Sequence, residues 1–252
     1  MLLIRTIYAG MHTQELITLS KAIDIQMESA AEELKALQAY PDEELITIIK
    51  EVGFKCDLCA RCCTQEFNDH VFLLDEDLES VREADPDAVE PAPYYELCDQ
   101  DGNFYVSGYA LKTQKDGSCI FLRDKRCTIY DRRPFICRLY PYMLHMEADE
   151  KGNIGWRQIS GLDLHGCYHD DISDEECKTL AREIKNYEQA FLEQKLSFLE
   201  KARQHFEKNK LKYVQSVYDR EMRKFNKGGQ IKVFVFFNGV FEDNSVGNNT
   251  SL

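Results

Sequence analysis

Four cysteines within eight residues, Cys56-x-x-Cys59-x-x-Cys62-Cys63, constrain the fold of this chain more than any other feature. Cys119, Cys127, Cys137 and Cys167 follow at wider intervals, so eight of the ten cysteines fall into one pattern. A lone buried thiolate is costly, whereas several converging on a cation offset one another's charge and gain coordination bonds. The chain is therefore expected to organise itself around metal. Neighbouring side chains in an extended or turn-like backbone point in different directions, so Cys62 and Cys63 are expected to serve two different sites. Eight thiolates then divide into two sets of four, the complement of two zinc ions or two cubane clusters.

Disulfides are the competing use of cysteine. Disulfide scaffolds are secreted and usually too small to build a core, whereas this chain has 252 residues, 44% of them hydrophobic. The opening Met1-Leu-Leu-Ile-Arg5 is too short an apolar stretch for a signal peptide. No segment approaches the roughly 18 consecutive apolar residues of a membrane span. These features predict a cytoplasmic chain in a reducing compartment, with no membrane partner.

Spacing bears on which metal. Structural zinc sites pair one C-x-x-C knuckle with a second, and there is no second C-x-x-C here. C-x-x-C-x-x-C instead looks like a ferredoxin run, in which a tight loop wraps one face of a cluster and a distant cysteine closes it. Cys137-Arg-Leu-Tyr-Pro141 offers such a remote ligand, with its proline four residues on. Iron-sulfur clusters, 4Fe-4S in type, are the leading expectation, and two zinc ions the alternative.

The residues around the cysteines carry a resemblance. Phe54-x-Cys56-x-x-Cys59-x-x-Cys62-Cys63, Cys119-Ile-Phe-Leu122 and Cys127-Thr-Ile-Tyr130-x-x-Arg133-Pro134-x-x-Cys137-Arg138-x-Tyr140-Pro141 resemble the CxxCxxCC, or YkgJ-like, cysteine-cluster family. The resemblance spans Phe54 to Cys167 and implies a zinc- or iron-chelating domain with eight shared cysteines. It also implies, through a relative linked to flagellin lysine methylation, a cluster-assisted modification enzyme such as a methyltransferase component. No methyl-donor motif accompanies it. Cys98 and Cys177 lie outside the family pattern, as do the long helical flanks.

Charge narrows the partners. Lys plus Arg number 31 against 44 Asp plus Glu, and a net charge of -13 argues against general nucleic-acid binding. The spread is uneven: 18 acidic and 4 basic residues from Pro41 to Asp101, but 9 basic and 3 acidic from Lys201 to Lys227. Between Arg123 and Arg138, among the cysteines, 6 basic residues face 2 acidic ones. A four-thiolate centre is anionic, so Arg133 and Arg138 are expected to offset its charge and donate hydrogen bonds to sulfur, with Tyr140 packed beside it. A substrate-anion role for either arginine is the competing use.

The predicted fold class is α+β: a small loop-rich, metal-stabilised core with short strands, flanked by long amphipathic helices. The divisions are residues 1–53, an N-terminal helical flank; 54–170, the eight-cysteine core; 171–230, a long helical region; and 231–252, a strand and polar tail. Leu16, Leu19, Ile23, Met27, Ala30, Leu34 and Leu37 predict a helix over Thr13–Ala39 stopped by Pro41, followed by a short helix over Asp42–Val52. Within the core, Val71–Leu74, Phe104–Leu111 and Ile154–Ile159 read as strands and Asp75–Ala84 as a charged helix. Ser173-Asp-Glu-Glu176 reads as a capping box opening a helix that runs, with a break near Asn209, to Lys227-Gly228-Gly229. Cys177 sits on its apolar stripe and reads as a buried hydrophobe. The two long helices are expected to pair within the chain or to join a second copy.

Catalytic motifs are sparse. There is no Gly-rich phosphate loop, no G-x-S-x-G and no H-E-x-x-H. His165 and His169, around Cys167, are the histidines that could replace a cysteine as a ligand. Four thiolates close a site, which suits structure or electron transfer better than Lewis-acid catalysis. Three functions follow: an iron-sulfur electron carrier or redox accessory with a redox or protein partner, a zinc-stabilised interaction module, and the modification enzyme.

Overall fold

The computed structural model describes residues 19–67, 69–95, 97–148, 154–159 and 166–247. Its helices are α1 (Leu19–Ala39), α2 (Asp42–Val52), α3 (Asp75–Ala84), α4 (Phe135–Leu139), α5 (Asp174–Asn209) and α6 (Gln215–Asn226). Its strands are β1 (Phe72–Leu73), β2 (Val89–Pro91), β3 (Leu97–Cys98), β4 (Asn103–Val106), β5 (Tyr109–Leu111), β6 (Leu122–Arg123), β7 (Arg126–Cys127), β8 (Met143–Ala148), β9 (Ile154–Ile159), β10 (Gln230–Phe237) and β11 (Val240–Gly247). The class is α+β, as expected.

The helical flanks form where their caps and stripes place them. Pro41 precedes α2, Asp42, Glu43 and Glu44 fill its first turn, and Gly53 ends it at φ 50°, donating its N–H to Ile49. Ser173 caps α5, its hydroxyl accepting from the Glu176 N–H at 3.3 Å. α1 runs antiparallel along α5: Arg203 reaches Asp24 near the start of α1 at 3.3 Å, and Lys185 reaches Asp42 just beyond its end at 2.6 Å. Their apolar stripes meet within the chain. Ile23 is buried with Phe198, Leu199 and Ala202, and Leu37 with Ala181 and Ile184. Cys177 lies wholly buried on the same stripe. The predicted start of the first helix, Thr13 to Thr18, lies outside the described residues.

A four-stranded sheet, ordered β11-β10-β4-β3, brings the end of the chain back to its middle, with β10 parallel to β4. Alternation divides its side chains between two faces. Ile231, Val233 and Val235 join Phe104 and Val106 under α6, while Phe236 joins Tyr105 against α1 and α5. Cys98 is buried on the α6 side, and burial pushes its thiol up to about 12. Two sequence expectations need correction here. The stretch from Glu242, read as part of a polar tail, forms β11 as far as Gly247, because Asn238 and Gly239 take φ 44° and 79° and turn the chain back onto β10.

The second correction concerns Phe104–Leu111, which is not one strand but two. A side chain at Gly108 would meet Phe72 Cζ and Gln194 Nε2 at 2.9 Å, so the backbone bends where it approaches them. Gln194 holds that bend from the long helix, donating to the Ser107 carbonyl at 3.1 Å and accepting from the Asp75 N–H at 2.9 Å. The buried amide is thereby satisfied on both sides. Val71–Leu74 contributes only Phe72–Leu73 as strand, paired to β5.

Candidate metal centre

The first cysteine run occupies the loop after α2. Lys55 and Cys167 exchange two backbone hydrogen bonds, 2.8 and 3.0 Å, which ties the residue before Cys56 to Cys167. Gly166 stands at φ 83° with the Phe54 ring directly beneath it, so no larger residue fits. Leu58 and Ala60 take φ 61° and 64°, which costs a non-glycine residue about 1–2 kcal/mol each. The Asp57 carboxylate steadies the turn by accepting from the Cys59 N–H at 3.0 Å. Arg61–Cys63 then forms a single 3-10 turn.

The other cysteines come from separate elements. Cys119 donates its N–H to the Cys63 carbonyl at 2.8 Å. β6 and β7 fold back through Asp124 and Lys125 and bring Cys127 opposite Leu122. Cys137 rides on α4, whose first free N–H, that of Phe135, is accepted by buried Asp77 at 2.9 Å.

Electrostatics sort the thiols into two neighbourhoods. Burial raises the Cys137 thiol well above its ordinary value, and Cys119, Cys63 and Cys127 raise it further. Cys119 is pushed up to about 11, first by burial, with Cys63 and Cys127 adding to the rise. These four form the inner group. On the other side, burial raises Tyr140, and the neighbouring groups that add to it are Cys62, Tyr168 and Cys59. Cys59 also accepts the Gly166 N–H, next to Cys167. Cys59 and Cys62 thus gather on this outer side with Cys167 one residue from Gly166, and Cys56 opens the same loop. Cys62 and Cys63 touch through their side chains, and that contact raises Cys63 strongly. Cys62 and Cys63 are thus in contact, with Cys62 also acting on Tyr140 and Cys63 on Cys137.

Do these residues suit a metal-thiolate group? Cys59 accepts the N–H of Arg61, Cys119 that of Phe121 and Cys127 that of Ile129, each donor two residues on. A sulfur met by backbone donors gains most when it is a thiolate. The Arg133 cation lowers both Cys63 and Cys127, and its buried Nε–H has no hydrogen-bond partner. An anionic centre among the inner thiols would supply one. Both observations fit the donor set. Among the described residues no three thiol, imidazole or carboxylate groups yet stand as a formed single-ion site.

Arg133 stacks on Tyr130 at 3.9 Å while facing the inner thiols. Arg138 lies over Phe135 at 4.6 Å and acts on Asp77. Tyr140 borders the outer group and packs edge-on to Phe54. The His169 ring caps α2 through Nδ1 and the Glu51 carbonyl, 3.1 Å apart, and His165 lies outside the described residues. Sequence reasoning missed Asp77, hidden in a charged helix with no local signal. It also missed His70, which lines a cleft of about 20 Å³ with Cys62, Cys63 and Cys119 and meets the Tyr94 hydroxyl at 2.5 Å.

Residues 55–161 match the family model CxxCxxCC, described as "Putative zinc- or iron-chelating domain". The matched stretch includes seven of the eight patterned cysteines, all except Cys167. No curated protein and no solved structure matches the chain.

Proposed function

We propose that this protein carries two thiolate-bound metal centres built on its chelating domain, iron-sulfur clusters in kind, and that it works in electron transfer or as a redox accessory to another protein. The gathering of Cys63, Cys119, Cys127 and Cys137 on one side and of Cys59 and Cys62 on the other, meeting at the Cys62–Cys63 contact, supports the reading. When bound, such a cluster supplies one-electron chemistry. The chain's own part is to hold the thiolates, to present backbone N–H groups to Cys59, Cys119 and Cys127, and to set the Arg133 cation against the inner charge.

Two zinc ions are the second reading. What favours it is the hairpin holding Cys119 and Cys127, where Leu122 donates to the Cys119 carbonyl at 2.9 Å and the strands turn back at once, a rigid frame suited to one small ion. Anaerobic purification with iron, zinc and acid-labile sulfide analysis separates the two. Brown protein with iron and sulfide in like amounts supports clusters, and colourless protein with about two zinc ions supports the second reading.

No helix among the described residues is long and apolar enough to cross a membrane. A cytoplasmic setting and a redox partner belong to the proposal.

A further inference from the structure

We infer that the two groups differ in permanence: the outer group, Cys56, Cys59, Cys62 and Cys167, is an exchange site through which a soft divalent cation enters and leaves, while the inner group retains its ion. The inference rests on the two-centre reading in its two-zinc form and adds a direction of traffic to it.

The difference begins with exposure. Cys56 and Cys167 are exposed to solvent, whereas all four inner cysteines are at least partly covered. It continues in the backbone. The outer loop from Cys56 to Ala60 belongs to no helix or strand, holds two residues in the left-handed region and leaves Leu58 55% exposed. The ties described for it include the pair of Lys55–Cys167 bonds beside it, the Gly166 N–H on Cys59 and the Cys63 N–H on the Ala60 carbonyl. Segments with few buried contacts and strained backbone open at low free energy.

The inner thiols are tied to one another and to the core. Cys119 is bonded to Cys63, Thr128 beside Cys127 donates to the Phe121 carbonyl at 2.9 Å, and α4 is pinned by Asp77. Phe121 and Ile129 belong to the core beneath the four-stranded sheet. Releasing an inner thiolate would require opening that core.

Exchange at the outer group is ligand substitution without oxidation. An incoming thiol or carboxylate donor binds the ion and, if a thiol, gives up its proton. The departing Cys56 or Cys167 thiolate takes a proton from water, and the ion keeps its charge and its number of bonds.

The test uses the full chain loaded anaerobically with zinc(II) alone, with zinc per chain counted first. The loaded protein is then mixed with EDTA and iodoacetamide, and zinc loss and cysteine alkylation are followed together by mass spectrometry. Zinc should leave in two equal phases, the first on the order of tenfold faster. Cys56, Cys59, Cys62 and Cys167 should be alkylated in the first phase and Cys63, Cys119, Cys127 and Cys137 in the second. A folded Cys167→Ser chain should lose the fast phase and keep the slow one. Two zinc ions lost in one phase, inner cysteines alkylated first, or a Cys167→Ser chain with both phases intact would overturn the inference alone. A chain that takes up no zinc, and is no better loaded with iron and sulfide, overturns the two-centre reading along with it.

Discussion

The thiols on either side of the consecutive pair Cys62 and Cys63 sit in different kinds of surroundings. The inner group draws on a 3-10 turn bonded to Cys119, a hairpin, and a short helix held by Asp77, with Arg133 facing it. The outer group draws on a loop, the same 3-10 turn through Cys62, and one backbone bridge, and Cys56 and Cys167 are exposed. A shared ligand type therefore does not imply a shared role. How firmly a thiolate site is held depends on which elements supply its cysteines and on what those elements are packed against.

The strongest way to break this comparison is to remove one ligand from each side. Cys137→Ser should empty the inner centre and cost more than about 3 kcal/mol of stability, because metal binding and folding are linked. Cys59→Ser should empty the outer centre at a clearly smaller cost. Thermal unfolding alongside metal counting reads both, and equal losses would erase the distinction. Gly166→Ala should cost about 1–3 kcal/mol, since a side chain at φ 83° would run into Phe54. It should weaken the outer centre and spare the inner one, as metal titration of the variant would show.

A further contrast concerns Asp77. Burial pushes its carboxyl up to about 6, above the usual carboxylate value near 4. A raised value means that the folded chain favours the protonated acid. The group therefore costs nothing below about pH 4, destabilises the fold progressively as pH rises from about 4 to 6, and costs on the order of 3 kcal/mol at neutrality. Asp77→Asn should flatten that fall in urea unfolding between about pH 4 and 6. Asp77→Ala, which leaves the Phe135 N–H without its acceptor, should instead lose about 1 kcal/mol at pH 5.

Arg133→Gln should lower the reduction potential of the inner centre by the equivalent of about 1 kcal/mol, because a nearby positive charge favours the extra electron. Arg138→Gln should lower it less, since that cation acts on Asp77. Voltammetry on metal-replete protein ranks the two. Cys177→Ala should cost about 1 kcal/mol through lost packing and leave the metal count unchanged, which elemental analysis checks.

The parts that were legible in the sequence carry their own local signals. Pro41 and Gly53 bracket α2, Ser173 opens α5, and the steps of three and four along α1 and α5 mark the faces that meet. The cysteine pattern is read from spacing alone, and seven of its eight cysteines lie in the matched stretch. Features set by tertiary approach were not legible. The bend at Gly108 exists because Phe72 and Gln194 come from elsewhere in the chain. Arg133 and Arg138 look alike in sequence, yet packing turns one toward the inner thiols and the other toward Asp77. β11 hides behind polar residues, and its one signal is the Asn238-Gly239 pair, which matches a tight hairpin turn.

The central claim is that eight cysteines form two centres split at Cys62 and Cys63, and metal counting on the anaerobically purified chain and its Cys62→Ser and Cys63→Ser variants tests it most directly. The account predicts two centres in the parent chain and one in each variant, with the outer lost from Cys62→Ser and the inner from Cys63→Ser. A chain with a single centre, or a pair of variants that lose the same centre, would contradict it.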